Sequence, residues 1–375
     1  MLRFINFFIK ELNGSLGDIG VLFPIAIGLS KLGLNINIVL LLVGVAYILN
    51  AIIYRLPVSV QPMKGISSIV LASKLNPIIV PFSALLMSLC LFVLNKFKVF
   101  TNFRLSEFFI RGIQFGTGLL LLIAAIKLLN IKLLNNKFTT DLIMNFRIYE
   151  ILIFSLILVI GLLTRWIIPS ILALLIIGIV MSLKNGVNNN FELINLTELL
   201  QYIKLIHLNI LDNIWGILVV SLMIILIQLP ITIANAVYAS SKTINDLYNT
   251  VVPESKIAYT CYTYNFFIGL LGGVPVCHGS GGITAHYVAG GKTMLTPLLI
   301  GLICISLSLI NGIQQVIIYF PNSILAILLA FVGFKHMLFL FKLKKINQYA
   351  LALGVSSIFL VISLNAPKIF EFIKG

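Results

Sequence analysis

Apolar stretches of about 20 residues follow one another along most of this chain, from Leu12 to Leu364, with short polar interruptions. A backbone in lipid must satisfy its own polar groups, so runs of this kind fold as membrane-spanning helices. Their continuity disfavours a membrane barrel, because barrel strands alternate apolar and polar side chains. Composition agrees, with 60% of the 375 residues hydrophobic and 10% charged. Met1 to Lys10 lacks a small-residue cleavage site and leads straight into the first span, so it is not read as a cleavable signal.

Two stretches cannot be ordinary spans. Val274-Pro275-Val276-Cys277-His278-Gly279-Ser280-Gly281-Gly282 carries too much glycine and too many polar groups. Leu56-Pro57-Val58-Ser59-Val60-Gln61-Pro62-Met63-Lys64-Gly65 has the same character. Proline removes a backbone donor and glycine weakens helix, so the chain is expected to leave the helix at each place and restart. Half-helices are expected from Met63 to Lys74 and from Gly279 to Ala289.

Before the first break lie spans from Leu12 to Leu32, holding Asp18 and Pro24, and from Ile36 to Tyr54. After it come Pro77 to Leu94, Phe108 to Leu129, and a tight pair, Tyr149 to Leu163 and Ile167 to Leu183, around Arg165 and Pro169. Between Lys184 and His207, Glu192, Asn195, Glu198, Gln201 and Lys204 alternate with Leu and Ile at helical spacing, predicting an amphipathic helix at the membrane surface. The second half holds Ile214 to Ser240, Ile257 to Leu271, Thr296 to Ile310, Ile324 to Leu340 and Tyr349 to Leu364. The tail from Pro367 to Lys374 is read as a short return to the interface. This all-α chain thus has up to fourteen segments: a first repeat over 1–190, an interfacial linker over 191–210 and a second repeat over 211–375.

The halves share an order of events. In each, a polar, proline-bearing span (Asp18 and Pro24; Gln228 and Pro230) precedes a Pro-Val break by about forty residues. Paired Gly/Pro interruptions point to the binding site of a repeat transporter, and seven segments per half make the repeats inverted.

The net charge of +15 does not indicate nucleic acid, because the cations sit in short loops without a basic face or a binding motif. With the N-terminus inside, cations favour the cytoplasmic loops by about two to one, placing both termini there; the loop from Asn130 to Arg147 runs against the bias. Cys90, Cys261, Cys277 and Cys304 form no CxxC pair and imply neither a disulfide framework nor a metal site. No cofactor is implied.

A half-helix that starts at mid-membrane offers unpaired N–H groups and the positive end of its dipole, so an anion is the expected guest. Gly279, Ser280, Gly281 and Gly282 leave those donors accessible, and Gln61-Pro62-Met63 supplies a second such start, with Pro62 in the first turn where no donor is lost. Two facing starts make a neutral cage of donors suited to a small oxyanion. Gln61 and Ser280 are also readable as ordinary caps. His278 either contacts the anion as a neutral donor or bonds a nearby carbonyl. His286, two turns on, is read as packing. Asp18 is costly at membrane depth unless paired or wet: it is either a proton or cation coupling site or a brace for loosened backbone near Gly17 and Gly20. Lys64 attracts anions, pairs with Asp18, or snorkels to the surface. Arg111 reads as an interfacial anchor. Gln228 and Asn235, seven apart, share a helix face that lines the cavity or bonds another helix. An intramembrane serine protease is disfavoured, since His278 stands where its GxSG motif has glycine; there is no HExxH, and no second ligand pair joins Cys277-His278.

These residues resemble the molybdate transporters related to SulP-type sulfate permeases. The matching pieces, in family order, are Gly17-Asp18-Ile19-Gly20 with Phe23-Pro24-Ile25, Pro57 to Lys64, Arg111-Gly112-Ile113-Gln114-Phe115-Gly116, Gln228-Leu229-Pro230 with Asn235, and Pro275 to Gly282. Ser280 departs from the expected alanine. The resemblance implies uptake of molybdate by a secondary transporter or symporter, a seven-plus-seven inverted repeat as in SulP and nucleobase permeases, and a core domain moving against a gate domain. It implies a plasma-membrane location and, by analogy, a homodimer. It sets Pro62, Met63 and Cys277 among the substrate-binding residues with Gln61, His278, Gly279, Ser280, Gly281, Gln228 and Asn235. Gln114 joins Asp18 and Lys64 in coupling or core support. No STAS-like domain follows the last span, which favours the molybdate branch over sulfate permeases, with sulfate and tungstate as the alternative cargoes. A nucleobase permease usually has a carboxylate in the eighth span, where this chain has Gln228 and Asn235.

Overall fold

The computed structural model describes residues 2–99, 106–129, 147–164, 167–184, 193–310 and 312–374. Helices dominate it. The first half comprises α1 (Leu2–Ser15), a 3-10 turn (Leu16–Asp18), α2 (Ile19–Lys31), α3 (Ile36–Tyr54), a two-residue strand β1 (Gln61–Pro62), α4 (Lys64–Ser73), α5 (Ile79–Lys96), α6 (Glu107–Leu128), α7 (Arg147–Leu163) and α8 (Ile167–Lys184). After α9 (Leu196–Asp212) come α10 (Ile214–Ile231), a π-helical turn (Thr232–Tyr238), α11 (Ala239–Tyr248) and α12 (Glu254–Leu270). The strand β2 (Val276–Cys277) follows, then α13 (Ser280–Val288), α14 (Leu295–Ser308), α15 (Ile313–Tyr319), α16 (Asn322–Met337), a 3-10 turn (Leu338–Lys342) and α17 (Ile346–Lys374).

Among the described residues, seven helices or helix runs are long and apolar enough to cross a membrane. The packing repeats the element order. Helix α3 lies on α14, α12 lies on α5, and α6 lies on α16. Exchanging the two halves turns the first contact into the second and the third into itself, as an inverted repeat requires. Small residues permit these crossings. A Cβ on Gly44 would meet the carbonyl of Gly301, and one on Gly118 that of Gly333. Leucines and isoleucines on the outer faces, such as Leu152, Leu156 and Ile160 of α7, remain exposed because lipid is their solvent.

Several boundaries differ from the sequence reading. The first span begins near Ile5 rather than Leu12 and is interrupted at Leu16–Asp18. The eighth continues past Ser240 to Tyr248, because the π turn after Pro230 absorbs the missing donor and the helix resumes. The tail does not turn back to the interface: α17 runs unbroken to Lys374 through Pro367. One lost hydrogen bond is tolerated in a long helix of this kind. The short α15 was not anticipated. The expected amphipathic helix forms as α9, starting at the Asn195 cap. Arg165, Glu192 and most of the loop from Asn130 to Arg147 lie outside the described residues.

Candidate functional site

The two breaks meet. Strand β1 pairs antiparallel with β2, Gln61 opposite Cys277 and Pro62 opposite Val276. The Met63 N–H donates to the Pro275 carbonyl at 2.8 Å. Both half-helices begin within three residues of this ladder, α4 at Lys64 and α13 at Ser280, so their N-termini lie close together. Asn265 of α12 fixes β2 by mimicking a strand: its Oδ1 accepts from the Val276 N–H at 2.8 Å and its Nδ2 donates to the Val276 carbonyl at 2.7 Å.

The eighth span serves both starts. Gln228 Oε1 accepts from the Ile66 N–H at 3.1 Å and so caps α4, while its Nε2 donates to Thr232 Oγ1 at 2.9 Å. Gly65 leaves room for that amide, since a Cβ there would collide with Gln228 Oε1. In the π turn, Asn235 Oδ1 accepts from Ser280 Oγ at 2.9 Å. The shared face of Gln228 and Asn235 therefore bonds other helices, one residue to each half-helix.

Gln61 lies across the first turn of α13. A Cβ on Gly279 or on Gly282 would strike its amide. That amide links two charged side chains: Nε2 donates to Asp18 Oδ1, and Oε1 accepts from Lys64 Nζ at 2.6 Å. Asp18 Oδ2 accepts from the Tyr47 hydroxyl at 2.7 Å. Lys64 thus reaches Asp18 through Gln61 rather than by direct pairing, and it neither snorkels nor stands alone. Asp18 is buried on the 3-10 turn that interrupts the first span.

His278 is fully buried. Its Nδ1 donates to the Ser59 carbonyl at 2.9 Å and its Nε2 accepts from Thr260 Oγ1 at 2.8 Å. Tyr54 and Tyr264 pack edge-on against the ring. It ties the first break to the second from behind. His286 is buried and its Nδ1 donates to the Gly14 carbonyl at 2.8 Å. Met63 and Cys277 are buried walls of the ladder. Ser280 and Asn235 are half-buried and Gly281 is exposed, and an added Cβ on Gly281 would meet nothing within 4 Å. Gln114 lies apart on α6, buried, with its Oε1 accepting from Arg111 Nη1 at 3.0 Å.

Asn50, Tyr47, Thr260, Tyr264 and Asn265 complete this network, and none was singled out from the sequence. Asn50 and Asn265 carry a legible signal, because amides inside apolar spans are costly unless they are bonded.

The sequence model of the family described as "Molybdate transporter of MFS superfamily" matches residues 10–121 and 221–335. Molybdate transporter 1 of Arabidopsis thaliana is 24% identical over 87% of this chain and 78% of its own length. Molybdate transporter 2 of the same plant is 30% identical over 28% of this chain, and the match spans only 23% of its length. A molybdate transporter 1 of Chlamydomonas reinhardtii is 34% identical over 28% of this chain and 22% of its own. Among solved structures, the transmembrane domain of the cyanobacterial bicarbonate transporter BicA superposes with a TM-score of 0.66 at 16% identity, covering 95% of this chain and 96% of that one. SLC26A9 gives a TM-score of 0.66 at 16% identity over 98% of this chain and 64% of its own. At such identities the two structures speak for the fold alone, the inverted-repeat fold of SulP and SLC26 transporters.

Proposed function

The chain belongs to the molybdate transporter family, and from that premise we propose that it carries a tetrahedral oxyanion, molybdate, across the membrane its helices span. The observation that carries this reading is the antiparallel pairing of β1 with β2, which brings the starts of α4 and α13 together. Helix starts attract anions through free N–H groups and the dipole. We assign the anion to the first turn of α13, at Ser280 and Gly281, with Asn235 beside it and Lys64 as its positive partner. Gln61, Pro62, Met63, Cys277 and Gly279 form the walls. Gln228 and His278 hold the two half-helices in register.

Asp18 takes the coupling role. Its carboxylate is joined to Lys64 only through the Gln61 amide, so an anion that draws Lys64 toward itself also alters what Asp18 faces. A proton travelling with the anion is its natural counter-charge. Gln114 supports the core from α6. Access alternates as α1–α5 and α10–α14 move against α6–α8 and α15–α17, a step that rests on fold analogy. The cation bias supports cytoplasmic termini, and analogy with related permeases supports a plasma-membrane homodimer, each protomer two inverted repeats joined by 191–210.

Uptake of labelled molybdate into proteoliposomes, with sulfate and tungstate as competitors, tests the reading. Saturable uptake that persists in excess sulfate supports molybdate. Equal competition by sulfate overturns the molybdate assignment.

A further inference from the structure

A cationic cavity lies at the far end of α4 from Lys64. It measures about 330 Å³ and is lined by Lys31, Lys74 and Lys127 together with Gly28, Leu71 and Asn322. The three lysines come from separate places: the end of α2, the residue after α4, and the last turn of α6. No carboxylate lines the cavity, and among the described residues none of the three makes an ion pair. Their partners are neutral. Lys31 Nζ donates to the Phe320 carbonyl at 2.5 Å and to Asn322 Oδ1 at 2.7 Å. Lys127 Nζ donates to the Ala72 carbonyl at 2.5 Å, which offsets the negative end of the α4 dipole. Lys74 is exposed at the mouth. Lys31 and Asn322 also line a neighbouring hollow that holds Glu150, whose carboxylate accepts from Ser323 Oγ at 2.8 Å.

Like charges brought together without a counter-ion repel, and an anion relieves the repulsion. A water fills about 30 Å³, so the cavity has room for a small anion with part of its hydration shell. The ten residues of α4 rise about 15 Å, so the cavity lies at the opposite end of that helix from its start at Lys64. We propose that Lys31, Lys74 and Lys127 form a capture site for a small oxyanion, distinct from the site at Ser280 and Gly281. The inference rests on the transport reading for its purpose. Two of its lysines bridge the sets of helices that move in that reading, Lys31 from α2 to the α15–α16 corner and Lys127 from α6 to α4. An arriving anion competes with those neutral carbonyls for the ammonium groups and so loosens both bridges.

Lys74 is the residue to change, since it is exposed and its φ of 52° suits asparagine. At low ionic strength, Lys74→Asn and Lys74→Glu are expected to raise the KM for molybdate uptake, by about threefold or more for Lys74→Glu, with Vmax unchanged. The difference should fade in high salt, and Lys74→Arg should behave as wild type. A wild-type KM for Lys74→Glu at low ionic strength overturns the inference. Anomalous diffraction from crystals soaked in tungstate separates it from the central-site reading. A tungsten peak among the three lysines that is lost in Lys74→Glu supports it, whether or not the half-helix starts are occupied. An empty lysine cavity beside an occupied central site overturns it, and no peak at either place overturns both.

Discussion

At Gly279 and Gly281, two glycines in one turn have opposite reasons to be glycine. Gly279 faces the Gln61 amide, so Gly279→Ala forces that side chain aside. A cost of about 1–3 kcal/mol is expected, seen as a lower Tm in detergent. Gly281 faces open space, so Gly281→Ala should leave Tm unchanged. Asp18 is a third case. It accepts two hydrogen bonds, from Tyr47 and Gln61, and asparagine can accept only with its one oxygen. Asp18→Asn is expected to cut uptake by about tenfold or more and flatten its pH profile, while equilibrium anion binding changes less. Unchanged uptake with an unchanged pH profile would make Asp18 a structural brace.

The half-helices depend on what holds their leading strands. Asn265 satisfies both backbone groups of Val276, so Asn265→Ala orphans two buried groups at about 1–3 kcal/mol each. Thermal unfolding in detergent should show the loss, and a wild-type Tm would mean that β2 has another anchor. Such elements were only partly legible in the sequence. Pro57, Pro62, Pro275 and the glycines after it betray the breaks, because proline and glycine in an apolar run contradict continuous helix, and both half-helix starts fall within one residue of expectation. The pairing of the breaks as strands was not legible, since it joins residues more than 200 positions apart. The direction of His278 was hidden for the same reason: its partners, Ser59 and Thr260, belong to other segments. Pro367 misled, because a proline that ends most soluble helices is tolerated in a long apolar one.

Across the whole molecule, the exchange of contacts between the halves makes the site a consequence of symmetry. Each half contributes one break, and neither half alone can pair a strand or oppose two helix starts. The same symmetry leaves the ends of α4 in different surroundings, with Lys64 and the Gln61 amide at one and three lysines at the other. In the proposed reading the charges mark a route between the two ends of α4, with the anion held at the first turn of α13 beside the start of α4. Equilibrium binding of labelled molybdate to the purified protein and to Gly281→Val tests that location most directly. Saturable binding by the wild type, and a loss of about tenfold or more in affinity for Gly281→Val at unchanged Tm, is the expected result. Wild-type affinity in Gly281→Val would contradict it.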